Sequence, residues 1–220
     1  RVKHFEDSFA TSFLQLFSFE LTVVCVNLFI LISGWFGIRA RLSGFLRLLF
    51  LLLFACVAMV MGIYFFTGEW PDVWSKMLSS SFQLWFIVSY LILYIVSPVL
   101  NTYAEHASTR DFSLLLLVFF LFQFLMFDTS NDFSNGYSFL SFMGLYLLAR
   151  FLRRQELFLQ KIPVWAWCVC YLATSLTITL FLSALALFST ASAFYQCFHW
   201  TGAYAAPNVV LASVSLFLFF

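Results

Sequence analysis

Seven long stretches of this chain carry almost no charge, and no other feature restricts its fold as strongly. They cover residues 21–38, 45–66, 82–103, 112–127, 137–151, 164–188 and 207–220. Most approach the roughly 20 apolar residues that an α-helix needs to cross the hydrocarbon core of a bilayer. Lipid offers no partner to backbone N–H and C=O groups, so a spanning segment must satisfy them within a helix or a closed barrel. The stretches lack the in–out alternation of barrel strands. The expectation is an all-α, polytopic transmembrane helix bundle of about seven spans, forming one domain over residues 1–220.

Composition excludes the soluble alternative. Apolar residues make up 63% of the 220 and charged ones 10%, and the mean hydropathy is +0.97. A soluble domain carries about 25% charge, so this chain has too few charges to clothe itself in water. Its partner is the lipid bilayer. The net charge of +1 gives no reason to expect nucleic acid. The five cysteines, Cys25, Cys56, Cys168, Cys170 and Cys197, form neither a CxxC pair nor a cluster with other metal-ligand residues. They read as small apolar packing residues, and no metal site is expected.

Orientation follows from the basic residues. Alternating the spans gathers Arg39, Arg41, Arg47, Arg110, Arg150, Arg153, Arg154 and Lys161 on one face, with Arg1, Lys3 and Lys76 on the other. The richer face is cytoplasmic by the positive-inside rule, which puts the amino end outside. Trp70, Trp74 and Trp200 then fall near outer span ends, where an indole suits the interface. The chain opens on Arg1 rather than Met and stops at Phe220 within an apolar run, so it reads as a piece of a longer protein.

Polar residues inside the spans are the functional candidates, because burying them in lipid is costly. Glu20 and Asn27 share one face of the first span, and Ser33-Gly34 lies further along it. Two readings stand: a functional polar face, or a helix contact in which small residues admit a neighbour and the amide bonds across. The loop Asp128–Asn135 is the most polar outer segment, and either binds a polar ligand or is an ordinary turn-rich loop. Tyr90 and Tyr94, one turn apart, line a cavity or simply pack. His4 and His199 fall outside, and His106 lies in a short cytoplasmic loop beside Glu105; loop histidines are usually just solvated, though their pKa suits them to base work.

Several segments in order along the chain carry a resemblance. They are VNLFILISGWF at 26–36, WFIVSY at 85–90, LYIVSPVLN at 93–101, GLYLLAR at 144–150 and YAAP at 204–207. Together they resemble the acyltransferase 3 family of integral-membrane acyltransferases. That resemblance implies about ten membrane helices, of which this chain would hold the middle portion without the first helix or the last ones. It also implies transfer of an acyl group, often acetyl, from coenzyme A to a hydroxyl of an extracytoplasmic glycan, in the bacterial inner (plasma) membrane. Acyl-CoA would be a donor substrate and no cofactor would stay bound.

The family's catalytic base is a histidine on its first helix, which would precede Arg1. The catalytic residues are therefore unknown, His4 is a weak candidate, and the chain as it stands is expected to be inactive. Cations are needed for the coenzyme A phosphates, which arginine's planar fork suits. The family's cytoplasmic RxxR is represented here imperfectly by Arg39-Ala-Arg41 with Arg47 beyond. These three are the expected acyl-CoA-binding residues, with plain topological anchoring as the competing reading. Arg150, Arg153 and Arg154 read as anchors. Asn27, Ser33, Gly34, Trp85 and Tyr90 are expected to line the active site. A transporter or flippase for a lipid-linked glycan, and a non-catalytic membrane partner, remain alternatives.

Overall fold

A computed structural model describes residues 13–68, 85–125, 136, 138–188 and 191–220, and these are all helix and connecting turn, with no strand among them. The helices are α1 (Phe13–Phe36), α2 (Leu42–Thr67), α3 (Trp85–His106), α4 (Thr109–Leu125), α5 (Phe139–Arg154), α6 (Glu156–Leu159), α7 (Val164–Phe188), α8 (Ala191–Thr201) and α9 (Pro207–Phe219). Four are long and apolar enough to cross a membrane: α1, α2, α3 and, over Val164–Ala186, α7. The chain is an integral membrane protein of all-α architecture, and the described residues do not confirm the expected count of seven spans. Of the other apolar helices, α5 has 16 residues and α9 has 13, and α4 has 17 within the described residues.

Boundaries moved where local chemistry overrode hydropathy. The first span is already helical at Phe13, ahead of the expected start at 21, with a turn at Val23-Val24. Ser108 starts α4 before the apolar run does: its Oγ accepts from Asp111 N–H (3.1 Å) and donates to Asp111 Oδ2 (2.6 Å). This is a side-chain N-cap, which satisfies one of the backbone donors that the first turn leaves open. Segment 191–201, between the expected spans 164–188 and 207–220, is the helix α8, whose Phe194 and Phe198 stack one turn apart. His199 therefore lies on a helix. His4, Lys76, Trp70, Trp74 and the loop Asp128–Asn135 lie outside the described residues.

The bundle is organised around α5, which packs on α1, α3 and α4. Phe142, Leu145 and Tyr146 of α5 are buried with Ile30 of α1, Leu93 of α3 and Phe112 of α4. A second cluster joins Val23 and Val24 to Tyr171 of α7 and Val209 and Ala212 of α9. Gly34 makes the α1–α5 crossing possible, since a Cβ there would lie 2.7 Å from both Ala149 Cβ and the Tyr146 carbonyl. Small residues serve this purpose in membrane bundles.

The outer surface is what lipid requires. On α2, Phe50 is 70% exposed, Phe65 84% and Phe66 87%. Continuous apolar exposure of this kind would aggregate in water. Of the cysteines, Cys56 is buried, but Cys25 is exposed and does not pack in the core.

α3 solves a local problem that sets up the site. Pro98 sits inside the helix and has no N–H to give the carbonyl of Tyr94. The Ser97 hydroxyl donates to that carbonyl instead, at 2.8 Å. The helix thus continues to Asn101 and Glu105, which lie one turn apart on the same face.

Candidate functional site: an arginine-lined cavity

The C-terminal ends of α1, α3 and α5 meet at one end of the bundle. Helix C-termini present carbonyls without intrahelical partners and a partial negative charge, and here arginines cap them. Arg150, Arg153 and Arg154 recur at helical spacing and so share a face of α5. Arg153 Nη1 donates to the Trp35 carbonyl of α1 in a short contact. Arg154 Nη1 donates to the Ala107 carbonyl just after α3, at 2.6 Å. Arg150 is only 17% exposed in its side chain and pairs with Glu105 at 3.6 Å.

Between these groups lies a cavity of about 550 Å³. Arg39 enters it from the turn after α1, so four arginines face one carboxylate, Glu105. Gly37 forms part of the wall with φ +76°, a backbone conformation that favours glycine, and a Cβ there would meet Arg150 Nη1 at 3.0 Å. The cavity is electropositive, open to one end of the bundle, and built from charge-assisted donors that suit phosphate.

The turn that carries Arg39 is tied to both neighbouring helices. Ile38 N–H donates to the Tyr146 hydroxyl at 2.9 Å, and that hydroxyl donates to Asn101 Oδ1 at 2.7 Å. Asn101 Nδ2 donates to the Ile38 carbonyl at 2.9 Å, closing the ring. Tyr94 holds the next residues: its hydroxyl accepts from Arg41 N–H at 2.8 Å and reaches the Arg41 carbonyl at 3.0 Å.

The nominated residues fall into three groups. Arg39 lines the cavity, whereas the exposed Arg41 and Arg47 are not among its lining residues. Ser33 and Tyr90 come together in mid-bundle, with their hydroxyl oxygens 3.3 Å apart. Asn27 and Trp85 converge on Tyr204 further from the arginines. Asn27 Nδ2 donates to the Tyr204 carbonyl at 2.9 Å, and the Trp85 and Tyr204 rings are 5.7 Å apart. Asn27 is fully buried and its Oδ1 has no hydrogen-bond partner among the described residues; the same holds for Oε1 of the buried Glu20. Gly34 serves the α1–α5 contact. His106 is held by the Thr102 carbonyl at 2.8 Å, and His4 lies outside the described residues.

The sequence marks Arg150, Arg153 and Arg154 only as anchors, whereas all three line the cavity. Their spacing on one helix face was the available signal. Their meeting with Arg39, more than a hundred residues away in sequence, was not visible without the fold.

The sequence profile of a family described as an acyltransferase domain, Acyl_transf_3, matches residues 2–220. This chain belongs to the acyltransferase 3 family. No curated protein and no solved structure matches it significantly. Membership in the acyltransferase 3 family implies acyltransferase activity in a membrane setting. Within that frame the arginine cavity is the described site whose charge best suits an anionic acyl donor.

Proposed function

We propose that the protein transfers an acyl group, acetyl in the first instance, from coenzyme A to a hydroxyl of an extracytoplasmic glycan or related cell-envelope polysaccharide. The observation that carries this reading is the convergence of Arg39, Arg150, Arg153 and Arg154 on one cavity. The phosphates of coenzyme A are the part of the donor that such a cavity recognises, and arginine holds phosphate through two parallel N–H bonds. The arginine-rich end faces the cytoplasm, where the donor is found, and the amino end faces out of the bacterial plasma membrane.

In this reading the polar groups that continue through the bundle lead away from the donor. Ser33 and Tyr90, then Asn27 beside Tyr204 and Trp85, mark a path from the arginine end toward the opposite end. Transfer of an acyl group from thioester to alcohol breaks the C–S bond and forms an ester C–O bond. The alcohol's proton goes to a base and the thiol of coenzyme A leaves. A positioned base contributes roughly 10² to 10⁴ in rate to such a step.

The test uses the full product of the gene, reconstituted in vesicles with acetyl-labelled coenzyme A on the arginine side and a glycan acceptor on the other. Label appearing in alkali-labile esters on the glycan is the expected result. Movement of a lipid-linked glycan without transfer of label would overturn the acyltransferase reading in favour of a flippase.

A further inference from the structure

Arg39 sits on a turn rather than on a helix, so something must fix it relative to the α5 arginines. We propose that Tyr146 and Asn101 are the positioning residues of the arginine cavity, holding the Gly37–Ile38 turn so that Arg39 and Arg150 address one ligand together. The inference rests on the reading of the cavity as an acyl-donor site; Tyr146 is not among the residues that line the cavity, whereas Asn101 both lines it and clamps the turn.

The geometry is a closed ring. Ile38 offers one donor and one acceptor to the bundle, and both are taken by side chains of other helices. Its N–H goes to the Tyr146 hydroxyl at 2.9 Å and its carbonyl takes Asn101 Nδ2 at 2.9 Å. The ring closes through Tyr146 Oη–H to Asn101 Oδ1 at 2.7 Å. Each bond fixes the direction of the others: a hydroxyl that accepts from Ile38 must give its only proton elsewhere, and Asn101 Oδ1 receives it, which leaves Nδ2 turned toward the Ile38 carbonyl. The ring is sheltered from competing water, since Tyr146 is fully buried and Ile38 is 9% exposed. Such networks are stiff because an unpaired member would be stranded.

The consequence for the cavity is direct. Gly37 precedes the clamped residue and lies against the Arg150 guanidinium, while Arg39 follows it. The turn therefore sets the spacing between a cation on α5 and a cation after α1. A polyphosphate ligand that bridges both gains from having that spacing fixed before it arrives.

The experiment uses the full gene product in detergent, with two readouts. Hydrogen–deuterium exchange over residues 36–41 reports the turn itself. Titration with acetyl-CoA reports the cavity, for wild type, Tyr146→Phe, Asn101→Ala, Arg39→Gln and the double variant Tyr146→Phe/Arg39→Gln. Tyr146→Phe should speed exchange in 36–41 and weaken acetyl-CoA binding about tenfold, the scale of one well-placed hydrogen bond. Asn101→Ala, which likewise removes two of the ring's three bonds, should speed exchange to a similar degree. In the Arg39→Gln background Tyr146→Phe should cost almost nothing more, because the two act as a unit. Faster exchange with unchanged affinity, or a Tyr146→Phe loss that simply adds to the Arg39→Gln loss, would overturn the positioning role. Wild-type protein that fails to bind acetyl-CoA would overturn the donor-site reading and, with it, this role, while faster exchange in Tyr146→Phe would still show the clamp itself to be real.

Discussion

Single residues here carry effects that composition hides, and glycine shows it best. Gly34 and Gly62 both lie in apolar helices, yet only Gly34 has backbone and Cβ atoms 2.7 Å from where a side chain would begin, while Gly62 has nothing within 4 Å. Gly34→Ala should therefore destabilise by about 1–3 kcal/mol through overpacking. Gly62→Ala should be neutral or stabilise by up to about 1 kcal/mol through helix propensity. Thermal unfolding in detergent separates the two; a Gly34→Ala protein as stable as wild type would disprove the close crossing. The sequence made Gly34 conspicuous through its Ser-Gly setting, but whether it lined a site or a contact depended on what lay opposite. Arg39 was legible as a cation at the right membrane face, and Arg41 and Arg47 equally so. Only the turn geometry separates them, because Arg41 is tied through its main chain to Tyr94 and its side chain does not line the cavity.

At the scale of elements, hydropathy located α2, α3, α7 and α9 to within a few residues and failed where another force set the boundary. α4 is started by the Ser108–Asp111 cap and α8 is half polar, so neither edge coincides with an apolar edge. α5 runs to Arg154 rather than 151, which brings Arg153 and Arg154 into a helical row with Arg150. The repair at Pro98 predicts a coupling within α3. Ser97→Ala removes the donor to the Tyr94 carbonyl and should cost about 1–2 kcal/mol, the scale of a buried acceptor left unpaired. In a Pro98→Ala background the helix regains an N–H for that carbonyl, and the same Ser97→Ala change should become nearly silent. Equal costs in both backgrounds, measured by thermal shift, would show that Ser97 does not replace the missing proline donor.

The whole molecule is a lipid-embedded bundle with an electropositive cavity at its arginine-rich end, which the proposed orientation turns toward the cytoplasm. Cysteine-accessibility labelling should find the 150–161 segment reachable from the cytoplasm and the 128–135 segment from outside; the reverse pattern would move the arginine cavity away from coenzyme A. The central claim is that this cavity, and not the basic face in general, binds the acyl donor. Arg150 and Arg47 decide it, being two arginines expected at the same face, one lining the cavity and one exposed on α2. The measurement is calorimetric titration of the full gene product with acetyl-CoA, comparing Arg150→Gln with Arg47→Gln. Loss of a charge-assisted bond of about 1.5–3 kcal/mol corresponds to a roughly 10- to 150-fold weaker affinity for Arg150→Gln. Arg47→Gln should stay within about twofold of wild type, as expected of an exposed charge. Equal losses at both positions, or wild-type affinity in Arg150→Gln, would contradict the account.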